Sequence, residues 1–220
     1  MFGSRLPQIQ AYAELLAGPG VERGLIGPGE TGRLWDRHLL NSGAVAELIP
    51  AASGREPLQL ADLGSGAGLP GIVLAIMLPE VSVTLVEPMA RRTVFLQECI
   101  TQLGLGNARV RRGRAEELAG EIEADVVTAR AVAGLDRLAG LAAGLARAGG
   151  LVLAIKGAAA GTELDGARSV LRRLGATGAQ IVVAGAGLLD QPTTVVIFRT
   201  REKASAGRRP GRAAPPTRRP

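Results

Sequence analysis

Apolar residues recur at helical spacing through the first fifty positions and in short β-branched runs from about residue 58 onward. Residues 11–17 read as a helix stopped by Gly18-Pro19-Gly20, and glycines 24, 27, 29 and 32 mark a loop. A second amphipathic helix is predicted over 31–48, with Leu34, Leu39, Val45 and Leu48 on its apolar face. Beyond it, strands are predicted at 58–63, 81–86, 108–112, 124–128 and 150–155. Helices fall near 69–78, 89–104, 115–120, 134–147 and 162–174. This alternation implies βαβ units and a parallel sheet covered on both faces. The last two strands, 180–184 and 193–199, are separated by too few residues for a crossover helix, so they pair as an antiparallel hairpin. The expected α/β chain has an N-terminal helical cap at 1–50, a domain at 51–200 with a mostly parallel seven-stranded sheet, and a tail at 201–220.

Composition narrows this picture. At 220 residues the chain is long enough for a substantial core, which Ala, Leu and Val must build because aromatic residues are only 2%. The formal charge of +6 is concentrated rather than spread. The first 200 residues balance 19 basic against 19 acidic, while 201–220 carry seven basic residues against Glu202 alone. That tail lacks apolar periodicity and is expected to be disordered. A lone cysteine, Cys99, excludes an internal disulfide and any cysteine metal cluster. Apolar runs are too short to span a bilayer and no secretory leader is visible, so a cytoplasmic protein without membrane contact is expected.

Candidate chemistry begins at Asp62-Leu63-Gly64-Ser65-Gly66-Ala67-Gly68, which closes the first strand of the sheet and opens a helix. A cofactor lying across that strand end needs close approach of the backbone, which side chains at 64, 66 or 68 would obstruct. Two cofactors compete for the motif. Gly66-Ala67-Gly68-Leu69-Pro70-Gly71 satisfies a dinucleotide fingerprint, and Glu87 is spaced to take ribose hydroxyls in either case. Three details favour S-adenosylmethionine. Asp62 suits a cationic amino-acid and sulfonium group but not a pyrophosphate; Pro70, expected in the first helical turn, removes a donor that a pyrophosphate would use; and the terminal hairpin fits a methyltransferase sheet.

The rest of the pattern limits the reaction. Methylation of a pyrimidine carbon needs a cysteine nucleophile. Cys99, inside an apolar helix with Val94, Phe95 and Leu103, reads as a buried structural thiol. Methylases of exocyclic amines often carry Asn/Asp-Pro-Pro-aromatic after the fourth strand, where this chain has Thr128-Ala129-Arg130-Ala131. A nucleophile with a free lone pair and no proton to lose, such as guanine N7, needs neither device; placement and electrostatics suffice.

Leu34-Trp35-Asp36-Arg37-His38-Leu39-Leu40-Asn41-Ser42, Asp62 to Gly71, Thr84-Leu85-Val86-Glu87, Arg114-Ala115-Glu116, Asp125 to Ala133 and Lys156-Gly157 occur in order, and together they resemble the RsmG (glucose-inhibited division protein B) family. The resemblance spans about residues 30–200. It implies a Rossmann-like class I S-adenosylmethionine-dependent fold and methylation of guanine N7 in the 530 loop of bacterial 16S rRNA. The implied partner is 16S rRNA or the small ribosomal subunit; no metal is expected and no protein partner is implied, and with no heptad or swap signal in the chain a monomer is expected. The implied cofactor contacts are Gly64, Leu69, Ala115, Glu116 and Arg130, to which the residue reading adds Glu87; no side chain is assigned a catalytic role.

Other residues weigh differently. His38, the only histidine, is expected to pack its helix and hydrogen-bond across to the sheet. Lys156 is a candidate phosphate contact, and Arg91, Arg92, Arg109, Arg111, Arg112 and Arg114 are candidates for a phosphate-binding rim. With so few aromatic residues, RNA recognition is expected through phosphate and shape.

Overall fold

The computed structural model describes residues 1–51 and 57–202; the basic tail from residue 203 onward lies outside the described residues. Seven strands, β1 (Gln59–Leu63), β2 (Ser82–Glu87), β3 (Ala108–Arg112), β4 (Ala124–Arg130), β5 (Ala146–Lys156), β6 (Thr177–Ala184) and β7 (Thr193–Arg199), form one sheet in the order β3-β2-β1-β4-β5-β7-β6. Strands β1 to β5 pair parallel, and β7 runs antiparallel to both β5 and β6. The order reverses at β1, whose neighbours are β2 and β4. Such a switch point leaves a crevice beyond the carboxyl ends of the strands. The Asp62 motif, Glu87, Arg130 and Lys156 all stand at that end.

Both faces of the sheet are buried, so strand alternation divides one apolar run between two cores. Leu60, Val126, Leu153 and Val195 face the core formed with α1 (Leu6–Leu15), α3 (Gly71–Met77) and α4 (Ala90–Gln102). Ala61, Val127, Val152 and Val196 face α5 (Leu135–Leu145) and α6 (Ala160–Arg173). Phe2, Ile9, Tyr12 and Leu39 from the first fifty residues belong to the first core. The N-terminal helices thus share their hydrophobic interior with the sheet.

Several elements differ from expectation. The first helix, Leu6–Leu15, is not stopped by Gly18-Pro19-Gly20 but continues through them as a π-type turn, Leu16–Gly20, with Pro19 inside it. No helix forms at 115–120. Arg114 O accepts from the Glu117 and Leu118 amides, the Glu117 carboxylate accepts from Arg114 N, and Gly120 at φ +81° turns the chain away after one turn. The expected helix at 31–48 is four pieces: a 3-10 segment Pro28–Arg33, a wide π-type turn Leu34–Leu39, the short α2 (Leu40–Ala44) and a 3-10 turn Val45–Leu48. A π turn inserts an extra residue and rotates the following side chains, a device common at functional sites. Strand β5 starts at Ala146 rather than 150, with its register against β4 broken between Ala124 and Val126.

Two helix glycines bracket the packing. A Cβ on Gly71 would press on Leu85 and lie 2.6 Å from Asp62 Oδ2, whereas one on exposed Gly166 in α6 meets nothing within 4 Å. Gly71→Ala is expected to lower the unfolding free energy by about 1–3 kcal/mol through overpacking. Gly166→Ala is expected to raise it by about 0.5–1 kcal/mol through helix propensity. Urea unfolding midpoints of the two variants measure both.

Candidate active site

The turn after β1 is held on several sides. Gly64 N and Ser65 N both donate to Val86 O, at 2.9 and 3.0 Å, which ties the loop to the end of β2. Tyr12, fully buried on α1, donates to Ala67 O at 2.7 Å. Gly64 at φ +68° and Gly68 at φ +102° occupy the left-handed region that favours glycine. A Cβ at 64 would stand 2.8 Å from Val132, and one at 68 would strike Ile72 and the Tyr12 hydroxyl. Pro70 is the residue before α3 rather than inside its first turn.

Two carboxylates organise the loop from below. Glu87, buried at the end of β2, accepts Gly66 N–H at 3.0 Å and Met89 N–H at 2.9 Å, with Arg92 3.6 Å away. Asp62, buried in β1, accepts Thr128 Oγ1–H at 2.9 Å and Gly71 N–H at 3.2 Å. Burial pushes the Asp62 carboxyl up to about 6, against the opposing pull of its hydrogen-bond donors and of the Arg130 charge.

Two hollows open beyond these carboxylates. A cavity of about 530 Å³ is lined by Leu63, Met89, Ala115, Glu116, Val132 and Leu141, among others, at the ends of β1, β2 and β3. A larger cleft of about 820 Å³ lies over β4, β5 and the start of β7, with Arg37, Asn41, Arg130, Val132, Lys156 and Thr193 in its wall. Val132 lines both and divides them.

The segment carrying Val132 is fixed at each end. Arg130 Nη2 donates to Arg37 O at 2.9 Å and to His38 Nδ1 at 2.8 Å, and Nη1 reaches Ser42 Oγ at 3.4 Å. His38 Nε2 lies 2.9 Å from Glu30 Oε2. Burial and the neighbouring Arg130 charge lower the His38 pKa, against Glu30, which raises it. Ala131 adopts φ +54°. Lys156 Nζ donates to Ala133 O at 2.8 Å and pairs with Glu163 at 2.8 Å, and Glu163 accepts Leu135 N–H at 2.9 Å.

Of the residues expected to bind cofactor, Ala115 and Glu116 line the smaller cavity, while Gly64 and Glu87 support its wall from behind. Arg130 lies in the larger cleft instead. Leu69 lines neither hollow and packs against the first core, its amide bonded to Ser65 O. His38 bonds across to β4 as expected. Lys156 does not reach out for phosphate; its side chain is 8% exposed and holds the β4–α5 turn. Nor do the arginines form one rim: Arg92 meets Glu87, Arg109 donates to Thr84, Arg111 pairs with Glu121, and only Arg114 borders the smaller cavity. Cys99 is buried, and burial pushes its thiol up to about 12. Val132, Arg37 and Asn41 escaped the sequence reading as site residues although they stand inside its motifs. Met89 and Leu141 carry no motif signal at all.

Raised from 3.8 to about 6, the Asp62 pKa favours the folded protein when this group is protonated in both states. That contribution is fully present below pH 4 and is lost as pH rises to 6. Asp62→Asn, which retains one acceptor and one donor in the same shape, is expected to remove this dependence. Relative to the variant, the natural protein should lose about 2 kcal/mol between pH 4 and pH 6. Urea unfolding of both proteins across that range measures the difference.

Among the described residues no helix is long and apolar enough to cross a membrane, and no group of three or more His, Cys, Asp or Glu is placed to hold a metal ion. The fold resembles that of solved Rossmann-like methyltransferases. A SAM-dependent O-methyltransferase from Thermotoga maritima aligns with TM-score 0.58 at 12% identity, over 80% of this chain and 71% of that one. A ribosomal protein L11 methylase from Lactobacillus delbrueckii subsp. bulgaricus aligns with TM-score 0.56 at 13% identity, over 73% and 77%. Sequence similarity is much stronger to proteins named ribosomal RNA small subunit methyltransferase G. The one from Thermobifida fusca (strain YX) is 52% identical over 96% of this chain and 89% of its own length. Another, from Mycobacterium sp. (strain JLS), is 50% identical over 97% and 94%. The GidB family, described as rRNA small subunit methyltransferase G, matches residues 5–191. With a cavity behind a glycine-rich turn beside a basic cleft on a methyltransferase sheet, and half its residues shared with these relatives, the chain belongs to the rRNA small subunit methyltransferase G family.

Proposed function

We propose that this rRNA methyltransferase transfers the methyl group of S-adenosylmethionine to N7 of a guanine in the 530 loop of 16S rRNA. The observation that carries the reading is the end of β4, where Arg130 enters the larger cleft and Val132 separates it from the smaller cavity. Two hollows that meet at Val132 suit a donor in one and a flipped base in the other, with the methyl passing where they join.

The smaller cavity fits the donor by its chemistry. Leu63, Met89, Val132 and Leu141 give apolar walls, and Ala115 and Glu116 provide a small apolar surface and an acceptor for adenine. Gly64 and Glu87 shape the turn behind them, Gly64 by making room for Val132 and Glu87 by holding Gly66. Leu69 supports the loop from the core side, and Arg130 stands where donor and base compartments meet. S-adenosylmethionine, when bound, supplies an electrophilic methyl on a sulfonium. Guanine N7 brings its own lone pair and loses no proton, so the chain has no base to provide. Its task is to place the ring in line and exclude water. The buried Cys99 thiol and the Arg130-Ala131-Val132-Ala133 sequence fit this demand, since neither offers covalent activation or an acceptor for an amine proton.

Incubation with labelled S-adenosylmethionine and small-subunit rRNA, followed by chemical cleavage at N7-methylguanine, is expected to break the strand within the 530 loop. Label on ribose or on an exocyclic nitrogen, with none at N7, would refute the reaction. Ala115→Leu, which fills the smaller cavity, is expected to weaken S-adenosylmethionine binding at least about tenfold in calorimetry, the loss of roughly 1.4 kcal/mol.

A further inference from the structure

Arg130 is held entirely by the N-terminal helices. Its guanidinium spans to Arg37 O, His38 Nδ1 and Ser42 Oγ, partners 88 to 93 positions earlier in the chain. One of these contacts dictates a protonation state. A guanidinium carries only donors, so the 2.8 Å contact requires His38 Nδ1 to be a bare acceptor. The imidazole proton then sits on Nε2, where Glu30 Oε2 accepts it at 2.9 Å. Glu30 thereby selects the tautomer that Arg130 needs.

We infer that His38 is a positioning residue: in its neutral, Nε2-protonated form it fixes the Arg130 guanidinium in the larger cleft, and methyl transfer to rRNA fails when it takes up a second proton. Protonation places an Nδ1–H against an Arg130 N–H and two positive charges within hydrogen-bond distance. The imidazole is only 14% exposed, so water screens this repulsion poorly. What then remains to Arg130 is one carbonyl and a long contact to Ser42, and the guanidinium leaves its place. The charged and titratable groups facing this pair come from four elements. Glu30 and Arg33 lie on the 3-10 segment, Arg37 on the π turn, Tyr12 on α1 and Asp62 on β1. Glu30 favours the charged imidazole, while Arg130 and Arg37 disfavour it.

The inference rests on the place given to Arg130 in the proposed function, and its test counts methyl groups transferred at any RNA atom, so an error about N7 would show only in the cleavage experiment. His38 is the only histidine, which makes its imidazole resonances unambiguous in the full chain. Nitrogen NMR of the free enzyme is expected to show the Nε2–H tautomer. The acid limb of kcat/KM for rRNA is expected to share the imidazole midpoint, with about tenfold loss per pH unit below it. Asp62 also titrates near this range, so a limb alone does not identify the group. Glu30→Gln, which removes the carboxylate that favours the charged imidazole, is expected to move the NMR midpoint and the activity limb down by the same amount. Arg130→Ala is expected to raise the NMR midpoint. An Nδ1–H tautomer in the natural enzyme overturns the inference without any variant. So does a Glu30→Gln enzyme whose imidazole midpoint moves while its activity limb stays.

Discussion

The carboxylate of Asp62 is buried at the one point where the sheet reverses its order, and it ties together the pieces that must meet there. One oxygen holds Thr128 on β4 and the other the first amide of α3, while the Asp62 carbonyl accepts the Ser65 hydroxyl. A strand, its neighbour, the intervening turn and the next helix are thereby locked to one residue. Burying that charge is costly, which is why its pKa rises even with so many donors around it. The arrangement persists because removing any one partner leaves the others facing an unsatisfied group in a dry interior.

Everything the site needs is mounted on that clamp. Strands β1 and β2 end level with each other, so Glu87 reaches back under the turn to Gly66 and the backbone stays open above it. Strand β4 ends beside them, and its exit segment becomes the wall between two hollows. That wall has no helix or ladder of its own. Lys156 and Glu163 hold it from one side, and residues 37–42 hold Arg130 from the other. A left-handed alanine, Ala131, sits between these two anchors.

The N-terminal segment therefore does more than cover the sheet. Tyr12 buttresses the glycine turn, the π turn brings His38 and the Arg37 carbonyl to Arg130, and Arg37 and Asn41 furnish one side of the larger cleft. Its apolar residues merge with the core under β1 and β2, so its position over the cleft is set by packing. The cleft is basic although the body is not: Arg37 and Arg130 line it, while the first 200 residues carry no net charge.

Strand alternation, the glycine-rich turn and the short final loop determined the fold class, the parallel order of the central strands and the terminal hairpin. These are local consequences of pattern: period two, left-handed backbone, and a connection too short for a helix. Of the cofactor contacts that the family resemblance implied, Ala115 and Glu116 line the smaller cavity, while Glu87, read from its spacing, lies under the turn beside it. What the pattern did not contain was the destination of long side chains. Lys156 and Arg130 both follow strands and both looked like cleft cations. Their difference lies in partners: one meets Glu163 and a carbonyl in the interior, the other meets a histidine delivered from 92 positions away. The arginines of β3 likewise find different partners, Arg109 the Thr84 hydroxyl and Arg111 the Glu121 carboxylate. The missing helix at 115–120 has a local cause, the Arg114 bonds and the left-handed Gly120, while the π turn at Leu34–Leu39 is where the N-terminal segment delivers His38 and the Arg37 carbonyl to Arg130. Only the assembled core shows which charges are spent on internal partners and which line the larger cleft.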